Sequence, residues 1–241
     1  MDASAKAERL WPDGPLFLQA KTAKLTTDTV LLADFADIGR ASHGLDLGCA
    51  SGALMLLLLQ RSGSLRMTGV ELQSEAARLA EENLRLNGCQ ERGDVIAGDW
   101  REDLPGLMKT GFDFVIANPP YFSASRGLLP PDEARAAARG ESFCTLEEFC
   151  ARTSVLCRNG GKVFLSYRPE RLNELLQQCS RARLEPKRLR FVHHRPSAEA
   201  SILLLEARKN GKPGLHVEAP LLLHDEEENE TAEYRRIYHR E

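Results

Sequence analysis

The stretch GLDLGCASGA, residues 44–53, decides the fold class of this chain. Its short apolar run ends at Gly48, and a second glycine, Gly52, follows four residues later. The segment ALMLLLLQR, residues 53–61, comes directly after the turn and is apolar on all sides, which is typical of a helix packed deep against a sheet. The stretch therefore predicts a buried strand, a glycine turn and a buried helix.

Strands and helices continue to alternate along the rest of the chain. Strands are predicted at MTGVEL (67–72), DVIAGD (94–99), FDFVIAN (112–118) and KVFLSY (162–167), and helices at 74–88, capped by Ser74, at 145–161, stopped by Asn-Gly-Gly, and at 168–184. Strands separated by helical crossovers pair in parallel, with helices on both faces of the sheet.

The end of the chain predicts a different connection. KRLRFVHH (187–194) and SILLLEARK (201–209) are joined only by RPSAEA (195–200), which is too short for a helical crossover and requires an antiparallel hairpin. We therefore predict an α/β fold with five parallel strands followed by an antiparallel pair. This is the seven-stranded, Rossmann-like outline of class I methyltransferases, and it differs from that of nicotinamide-binding sheets.

Composition and charge limit the class of protein. A chain of 241 residues, 42% hydrophobic and 28% charged, suits one domain over residues 1–241, with a segment 1–43 before the core 44–241. The longest apolar run falls far short of the ~20 residues of a membrane span, so we expect no membrane partner and a cytoplasmic protein. Six cysteines without CxxC spacing predict reduced thiols and no metal. A net charge of −3 means that an RNA partner needs a local basic patch.

The glycine turn carries the first chemical signal. Its GxxxG spacing differs from the GxGxxG loop that binds a pyrophosphate, and the carboxylate of Asp46 would repel a phosphate. A ligand with a cationic group, such as the amino group of S-adenosyl-L-methionine (SAM), fits better. We predict that Asp46, Gly48 and Gly52 bind this cofactor, and the alternative is an ordinary glycine-rich turn.

The ends of the second and third strands carry further acidic residues. Glu71 stands about 25 residues after Asp46, where a carboxylate can accept hydrogen bonds from both ribose hydroxyls, and Leu72 beside it is a further cofactor contact. In GDW, Asp99 can accept a hydrogen bond from the adenine amino group and Trp100 offers a ring face. The alternatives are surface exposure for Glu71, a helix cap for Asp99 and a core position for Trp100.

The motif NPPY ends the fourth strand and predicts the catalytic centre. Asn118 precedes a proline and is held extended, while Pro119 and Pro120 fix their own φ angles and remove two donors. The Asn118 side-chain oxygen and the Pro119 carbonyl remain as two acceptors, which match the two hydrogens of an exocyclic amine. Accepting both hydrogens directs the nitrogen lone pair at a methyl donor. Tyr121 offers a face on which a planar substrate stacks.

NPPY alone leaves adenine N6, cytosine N4, guanine N2 and the glutamine side chain open as substrates. The chain resembles the bacterial family of valine-tRNA adenine-N6 methyltransferases, from LQAKTAKLTTDTVLLADF (18–35) to APLLLHDEE (219–227), with DLGCASG, GVEL, GDW and NPPYF in the family's order and spacing. The resemblance implies methyl transfer to adenine N6 in tRNA, near the anticodon. The alternative is a protein N5-glutamine methyltransferase, but those enzymes carry a sizeable helical domain where only 43 residues precede Gly44.

The resemblance also assigns the segment before the core. In related enzymes this segment closes over the methionine end of SAM, which implies that Gln19, Thr26 and Asp28 lie at the cofactor site. Alternatively, Thr26 or the next threonine simply caps a helix that begins at Asp28. Ala50 departs from the family, since many relatives have glycine there, and we expect the substitution to be tolerated.

Two arginine-rich segments are candidate tRNA contacts. The segment 123–142 follows NPPY and holds Arg126, Arg135 and Arg139, and the segment 181–195 holds five arginines, one lysine and two histidines. Arginines in such clusters pair with phosphates and stack on bases. The alternatives are a mobile lid for the first segment and a solvated face for the second. Adjacent histidines on a strand point to opposite faces, so we expect no shared metal there.

Overall fold

The structure, a computed structural model, describes residues 7–19, 25–104, 107, 111–119 and 144–240. Its helices and strands within these ranges are, in chain order, β1 Glu8–Arg9, β2 Leu16–Phe17, α1 Thr27–Phe35, β3 His43–Leu47, α2 Ala53–Arg61, β4 Arg66–Glu71, α3 Ser74–Leu86, β5 Gly93–Ala97, β6 Phe112–Ala117, α4 Leu146–Leu156, β7 Cys157–Tyr167, a 3-10 turn Pro169–Arg171, α5 Leu172–Arg181, β8 Leu184–His193, β9 Ala200–Lys209, β10 His216–Val217, β11 Leu221–Leu222 and α6 Ala232–Ile237.

A single large sheet organises the fold. Its strand order is β10-β8-β9-β7-β6-β3-β4-β5, and β11 also pairs with β8. Strands β3 to β7 run parallel to one another, whereas β9 is antiparallel to both β7 and β8. The predicted α/β fold and its antiparallel hairpin are therefore confirmed. The carboxyl ends of β3 to β7 meet at one edge, which is the edge that binds ligands in such sheets.

Two hydrophobic cores cover the two faces of the sheet. Successive side chains of a strand point to opposite faces, and β6 shows the consequence: Ile116 packs with helices α1 and α2, while Val115 packs with α4 and α5. Helix α2 spans the predicted residues 53–61, and residues 53–59 are all buried. Burial on every side explains why the segment is uniformly apolar.

Three predicted helix boundaries were wrong. Helix α4 ends at Leu156, and the Asn-Gly-Gly segment predicted to stop it lies inside β7, where pairing with β6 is irregular. Strand pairing overrides the local stop signal there. The helix predicted over 168–184 is divided into a 3-10 turn and α5, since Leu184 already belongs to β8. In α3, Gln73 occupies the N-cap position instead of Ser74 and makes no side-chain capping bond.

The segment before the core is fastened to helix α3 by two asparagines. Asn87 accepts from the backbone N–H of Leu16 and donates to its carbonyl, at 2.9 and 2.7 Å. Asn83, one turn earlier on α3, does the same with Leu18 at 2.7 and 2.9 Å. The asparagine side chains thus pair with the backbone as a neighbouring strand would. Among the described helices none combines the length and apolarity that crossing a bilayer requires.

Candidate active site

The turn between β3 and α2 is held against β4. Gly48 and Gly52 adopt φ angles of 77° and 81°, which favour glycine. The Gly48 N–H donates to the Val70 carbonyl at 2.8 Å, and the Ala50 N–H donates to Oε2 of Glu71 at 2.9 Å. Ala50 has a φ of 48°, so its backbone is in the left-handed region, which costs a residue with a Cβ atom roughly 1–2 kcal/mol. This backbone conformation is the reason why glycine suits the position.

Asp46 is the buried carboxyl group of this turn. It lies on β3 with 0% of its surface exposed, and neither carboxyl oxygen has a hydrogen-bond partner within the described part of the chain. Burial, and next the nearby carboxylate of Glu71, raise the pKa of Asp46 to about 8. Buried polar atoms are nearly always paired in native proteins, so an unpaired carboxyl group points to a ligand that supplies the missing donor.

The turn fits a cationic cofactor such as SAM. A side chain added at Gly48 would meet no described atom within 4 Å, so there is open space in front of the turn. The Asp46 carboxyl lacks a donor, and an ammonium or sulfonium group favours its ionised form. Open space and an unpaired hydrogen-bond acceptor together suit a cofactor that brings a cationic donor group. Gly52 allows close packing of the turn against α3, because a Cβ atom added there would lie 3.0 Å from Cβ of Ala80.

Glu71 ends β4 and stabilises two neighbouring loops. Its Oε2 accepts from the Ala50 N–H, as described above, and its Oε1 accepts from the Gln73 N–H at 2.8 Å. Each carboxylate oxygen keeps one further lone pair for a ligand. Leu72, next to it, has 48% of its surface exposed, which makes an apolar surface at the carboxyl edge of the sheet.

Asp99 and Trp100 follow β5 and are both engaged with protein groups. Arg101 Nε contacts the two carboxylate oxygens of Asp99 at 2.9 and 3.0 Å, and this hydrogen bonding lowers the pKa of Asp99 below its ordinary value. The Trp100 ring is half-buried and meets Phe149 edge-on, with ring centroids 6.1 Å apart. The Trp100 ring thus packs against the core on one side and remains partly exposed, and its predicted contact with the cofactor stays a prediction.

Asn118 stands directly after β6, beside the end of β7. Its Oδ1 accepts a hydrogen bond from the Ser166 hydroxyl, and its Nδ2 donates to Oγ1 of Thr29 at 2.9 Å and to Oγ1 of Thr26 at 3.3 Å. Ser166 and Thr29 were not singled out from the sequence. No local motif marks them, because strand pairing and the placement of α1 bring them to Asn118.

The structure describes some of the remaining predicted site residues and not others. Pro119 is half-buried, whereas Pro120 and Tyr121 lie outside the described residues. Gln19 accepts from the Leu25 N–H at 3.2 Å through Oε1. Asp28 is in the first turn of α1, and burial raises its pKa.

The arginine-rich segment 181–195 is split between opposite ends of β8. Because β8 is parallel to β7, its end at His193 shares the edge of Asn118, and its start at Leu184 is roughly 30 Å away. Arg183 lies at the far end. At the near end, His194 and Arg195 both contact the carboxylate of Glu228, at 3.0 and 2.9 Å.

The middle of this segment is also neutralised by acidic partners. Arg188 contacts Glu206 and Glu218 at 2.8 and 2.6 Å, and Arg190 contacts Glu233 at 2.8 Å. These ion pairs offset part of the positive charge of the segment, and its predicted contact with tRNA stays a prediction. The other candidate, 123–142, lies outside the described residues.

One histidine-rich group on this edge has ligand atoms close together. His194, His224 and Glu228 bring one such atom each within 4.8 Å of one another, at exposed and half-buried positions. The carboxylate in this group already accepts from His194 and Arg195, and we assign no metal to it.

Comparisons with known proteins agree with this geometry. A family model described as methyltransferase small domain matches residues 20–128. A protein of Porphyromonas gingivalis named tRNA1(Val) (adenine(37)-N6)-methyltransferase is 33% identical over 193 residues, which cover 77% of this chain and 74% of the relative. The chain belongs to this family of methyltransferases. A family member with the same name from Actinobacillus succinogenes is 31% identical over 212 residues, covering 88% and 86% of the two chains.

Solved structures show the same family fold. A predicted O-methyltransferase from Agrobacterium tumefaciens superposes with a TM-score of 0.71 at 25% identity, covering 88% of this chain and 96% of that one. A geranyl diphosphate C-methyltransferase from Streptomyces coelicolor, crystallised with S-adenosyl-L-homocysteine, has a TM-score of 0.55 at 15% identity, covering 74% and 75%. The fold is that of class I methyltransferases, and this family member is a SAM-dependent methyltransferase.

Proposed function

We propose that this methyltransferase transfers the methyl group of SAM to the N6 amine of an adenine in the anticodon region of tRNA. The observation that supports this substrate is the similarity to relatives named tRNA1(Val) (adenine(37)-N6)-methyltransferase. It extends over 77% of the chain in one relative and 88% in another. Because tRNA is the substrate, we place the reaction in the cytoplasm. The chain 1–241 acts as one domain in which the segment 1–43 closes over the cofactor.

The cofactor is held at the carboxyl ends of β3, β4 and β5. Bound SAM supplies an electrophilic methyl group on a sulfonium. Asp46 faces its cationic part, because the carboxyl group is buried and unpaired in the described chain. Glu71 has lone pairs left for the ribose hydroxyls, and exposed Leu72 flanks the adenine. Asp99 accepts from the adenine amino group, which shares the carboxylate with Arg101, because both carboxylate oxygens also accept hydrogen bonds from that arginine.

The segment before the core contributes the remaining cofactor contacts. Gln19 directly follows Leu18, which is bonded to α3. Thr26 and Asp28 lie at the start of α1. Burial raises the pKa of Asp28, so a cationic ligand beside it favours the ionised form of this carboxyl group as well.

Asn118 and Pro119 orient the substrate amine. An amide oxygen has two lone pairs, and the Ser166 hydroxyl uses one at Oδ1 of Asn118, which leaves the other for an N–H of the substrate. The Pro119 carbonyl accepts the second N–H. Accepting both hydrogens favours a pyramidal nitrogen and directs its lone pair at the methyl group, so the rate gain is positioning and electrostatics.

The adenine reaches this pair of acceptors from a single-stranded loop. A base of the anticodon loop enters a pocket without disruption of a duplex. Tyr121 stacks on the base, with about 1–3 kcal/mol expected for such a contact, and Pro120 stiffens the loop. Arg126, Arg135 and Arg139 in the segment 123–142 contact tRNA phosphates.

The deciding experiment is methyl transfer from labelled SAM to unmodified total tRNA, followed by nucleoside digestion and mass spectrometry. We expect N6-methyladenosine, and Asn118→Ala should reduce its formation by about 100-fold or more while the SAM dissociation constant changes little.

Each other outcome has a definite meaning. Label in a different methylated nucleoside would keep the mechanism and discard adenine. Label in a glutamine side chain of a protein, with none in RNA, would replace the proposed substrate by a protein amide. Full activity of Asn118→Ala would refute the NPPY mechanism.

A further inference from the structure

The carboxamide of Asn118 is fixed from both of its ends. Oδ1 accepts from the Ser166 hydroxyl, and Nδ2 donates to Oγ1 of Thr29 at 2.9 Å, with Oγ1 of Thr26 at 3.3 Å. These three hydroxyls come from two separate parts of the chain, the end of β7 and the start of α1. A side-chain amide rotates readily about its last bond unless hydrogen bonds hold it.

Ser166 is placed by strand pairing. Ala117 on β6 lies opposite Leu165 on β7, so the next residues of the two strands, Asn118 and Ser166, stand side by side. Ser166 has 3% of its surface exposed, and a buried hydroxyl is unfavourable unless it forms a hydrogen bond. Its hydrogen bond runs to Asn118.

Thr26 and Thr29 are placed by the first turn of α1. Thr26 occupies the N-cap position, where a threonine hydroxyl usually accepts from a backbone N–H of the first turn, yet its side chain makes no capping bond. Its Oγ1 instead lies 3.1 Å from Oγ1 of Thr29, and both face Nδ2 of Asn118. The two threonine hydroxyls thus accept from the Asn118 amide, and the Thr26 hydroxyl does not cap the helix.

We propose that Ser166 and Thr29 are positioning residues for methyl transfer, which hold the Asn118 carboxamide with its oxygen available to the substrate amine. The inference rests on the proposed role of Asn118 as an acceptor. If the amide turned over, its NH₂ group would meet the N–H groups of the substrate, and donor would face donor. Ser166 as a donor to Oδ1 and Thr29 as an acceptor from Nδ2 both oppose that turn.

The test compares Ser166→Ala and Thr29→Val with the wild type. We expect kcat for tRNA methylation to fall about 10- to 100-fold in each, since a small misplacement of a positioning group has an effect of this size. The KM for tRNA and the SAM dissociation constant should stay within about twofold, and Thr29→Ser, which keeps the hydroxyl, should restore kcat. Thr153→Val is the matched control, because it removes a buried hydroxyl that has no hydrogen-bond partner in the described chain. We expect this control to leave kcat unchanged.

A double-mutant cycle separates positioning from general damage. In the Asn118→Ala background, Ser166→Ala and Thr29→Val should each lower the residual single-turnover rate by less than about twofold, because the amide that they hold is gone. A full additional loss in that background, or unchanged kcat for both variants in the wild-type background, would overturn the inference. The proposed function is scored separately, by whether the wild type produces N6-methyladenosine. If the accepted amine belongs to another substrate, the same cycle is run on that substrate.

Discussion

The carboxyl group of Asp46 combines full burial with a position at the ligand-binding edge of the sheet. Burial, and next the charge of Glu71, raise its pKa from the ordinary 3.8 to about 8. At neutral pH the group is therefore mostly protonated when nothing cationic stands beside it. A cationic ligand favours the ionised form and lowers the pKa in the complex, so binding and proton release are coupled.

SAM affinity should depend on pH through this residue. As the pH rises from 6 to 7.5, we expect the SAM dissociation constant to fall about tenfold per pH unit, because each binding event must remove one proton from Asp46. Calorimetry in two buffers of different ionisation enthalpy measures the proton released. In Asp46→Asn, binding should be weaker and its pH dependence should flatten over this range. A pH-independent affinity in the wild type would contradict the raised pKa.

The same residue sets the sign of a stability effect in the protein without ligand. The unfolded chain loses the Asp46 proton near pH 3.8, whereas the folded chain keeps it up to about 8. The folded state therefore binds the additional proton in this window, and its contribution to stability falls as pH rises from about 4 to about 8. Thermal denaturation of Asp46→Asn beside the wild type isolates this contribution.

At the scale of elements, helix α3 joins the segment before the core to the turn between β3 and α2. Asn83 binds the backbone of Leu18, and its Nδ2 also donates to the carbonyl of Ser51 in the turn at 2.9 Å. Asn87 binds the backbone of Leu16 in the same two-bond manner, and within the described residues no hydrogen bond joins it to the turn. The two asparagines therefore form a matched pair, of which Asn83 also bonds to the turn between β3 and α2.

Replacement of these asparagines should separate their two tasks. We expect Asn83→Ala and Asn87→Ala both to lower the free energy of unfolding by about 1–3 kcal/mol, because each leaves half-buried backbone groups of the first segment unpaired. Only Asn83→Ala should also weaken SAM binding, by about tenfold, because this substitution removes the hydrogen bond to the Ser51 carbonyl in the turn. Denaturant unfolding and calorimetry give the two readouts. Equal SAM affinity in the two variants would rule out the bridging role.

At the scale of the whole molecule, the question is which positive groups attract tRNA. The net charge is −3, so tRNA attraction depends on where the positive groups lie. Arg183 lies at the start of β8, on the edge opposite Asn118, whereas the segment 123–142 directly follows the NPPY motif. Arg188 and Arg190, between these edges, are paired with glutamates.

Two charge reversals test this arrangement. Arg135→Glu should weaken tRNA binding about tenfold at low salt and reduce the salt dependence of the binding constant, because it removes a proposed phosphate contact. Arg183→Glu makes the same change of charge on the edge opposite Asn118, and we expect less than about a twofold effect. Filter binding over a salt series measures both. Comparable losses in the two variants would show that long-range charge, not a local contact, controls tRNA affinity.

The sequence by itself determined the α/β alternation, the span of α2, the antiparallel hairpin and the order of the strand-end motifs. These features depend on local causes: apolar periodicity, glycine at turns with positive φ, and connection length. The strand-end motifs were readable because parallel strands end at one edge, so that Asp46, Glu71 and Asn118 needed no further information to be grouped together.

Only the tertiary structure decided what depends on pairing between distant segments. Helix α4 ends early because β7 recruits the Asn-Gly-Gly segment into the sheet, and Trp100 packs on Phe149 of a later helix. Ser166 and Thr29 reach Asn118 across 48 and 89 positions of chain, respectively, and Asn83 reaches Leu18 across 65. Such contacts leave no periodic signal in the sequence, because the partner is chosen by strand register and helix placement and not by neighbouring residues.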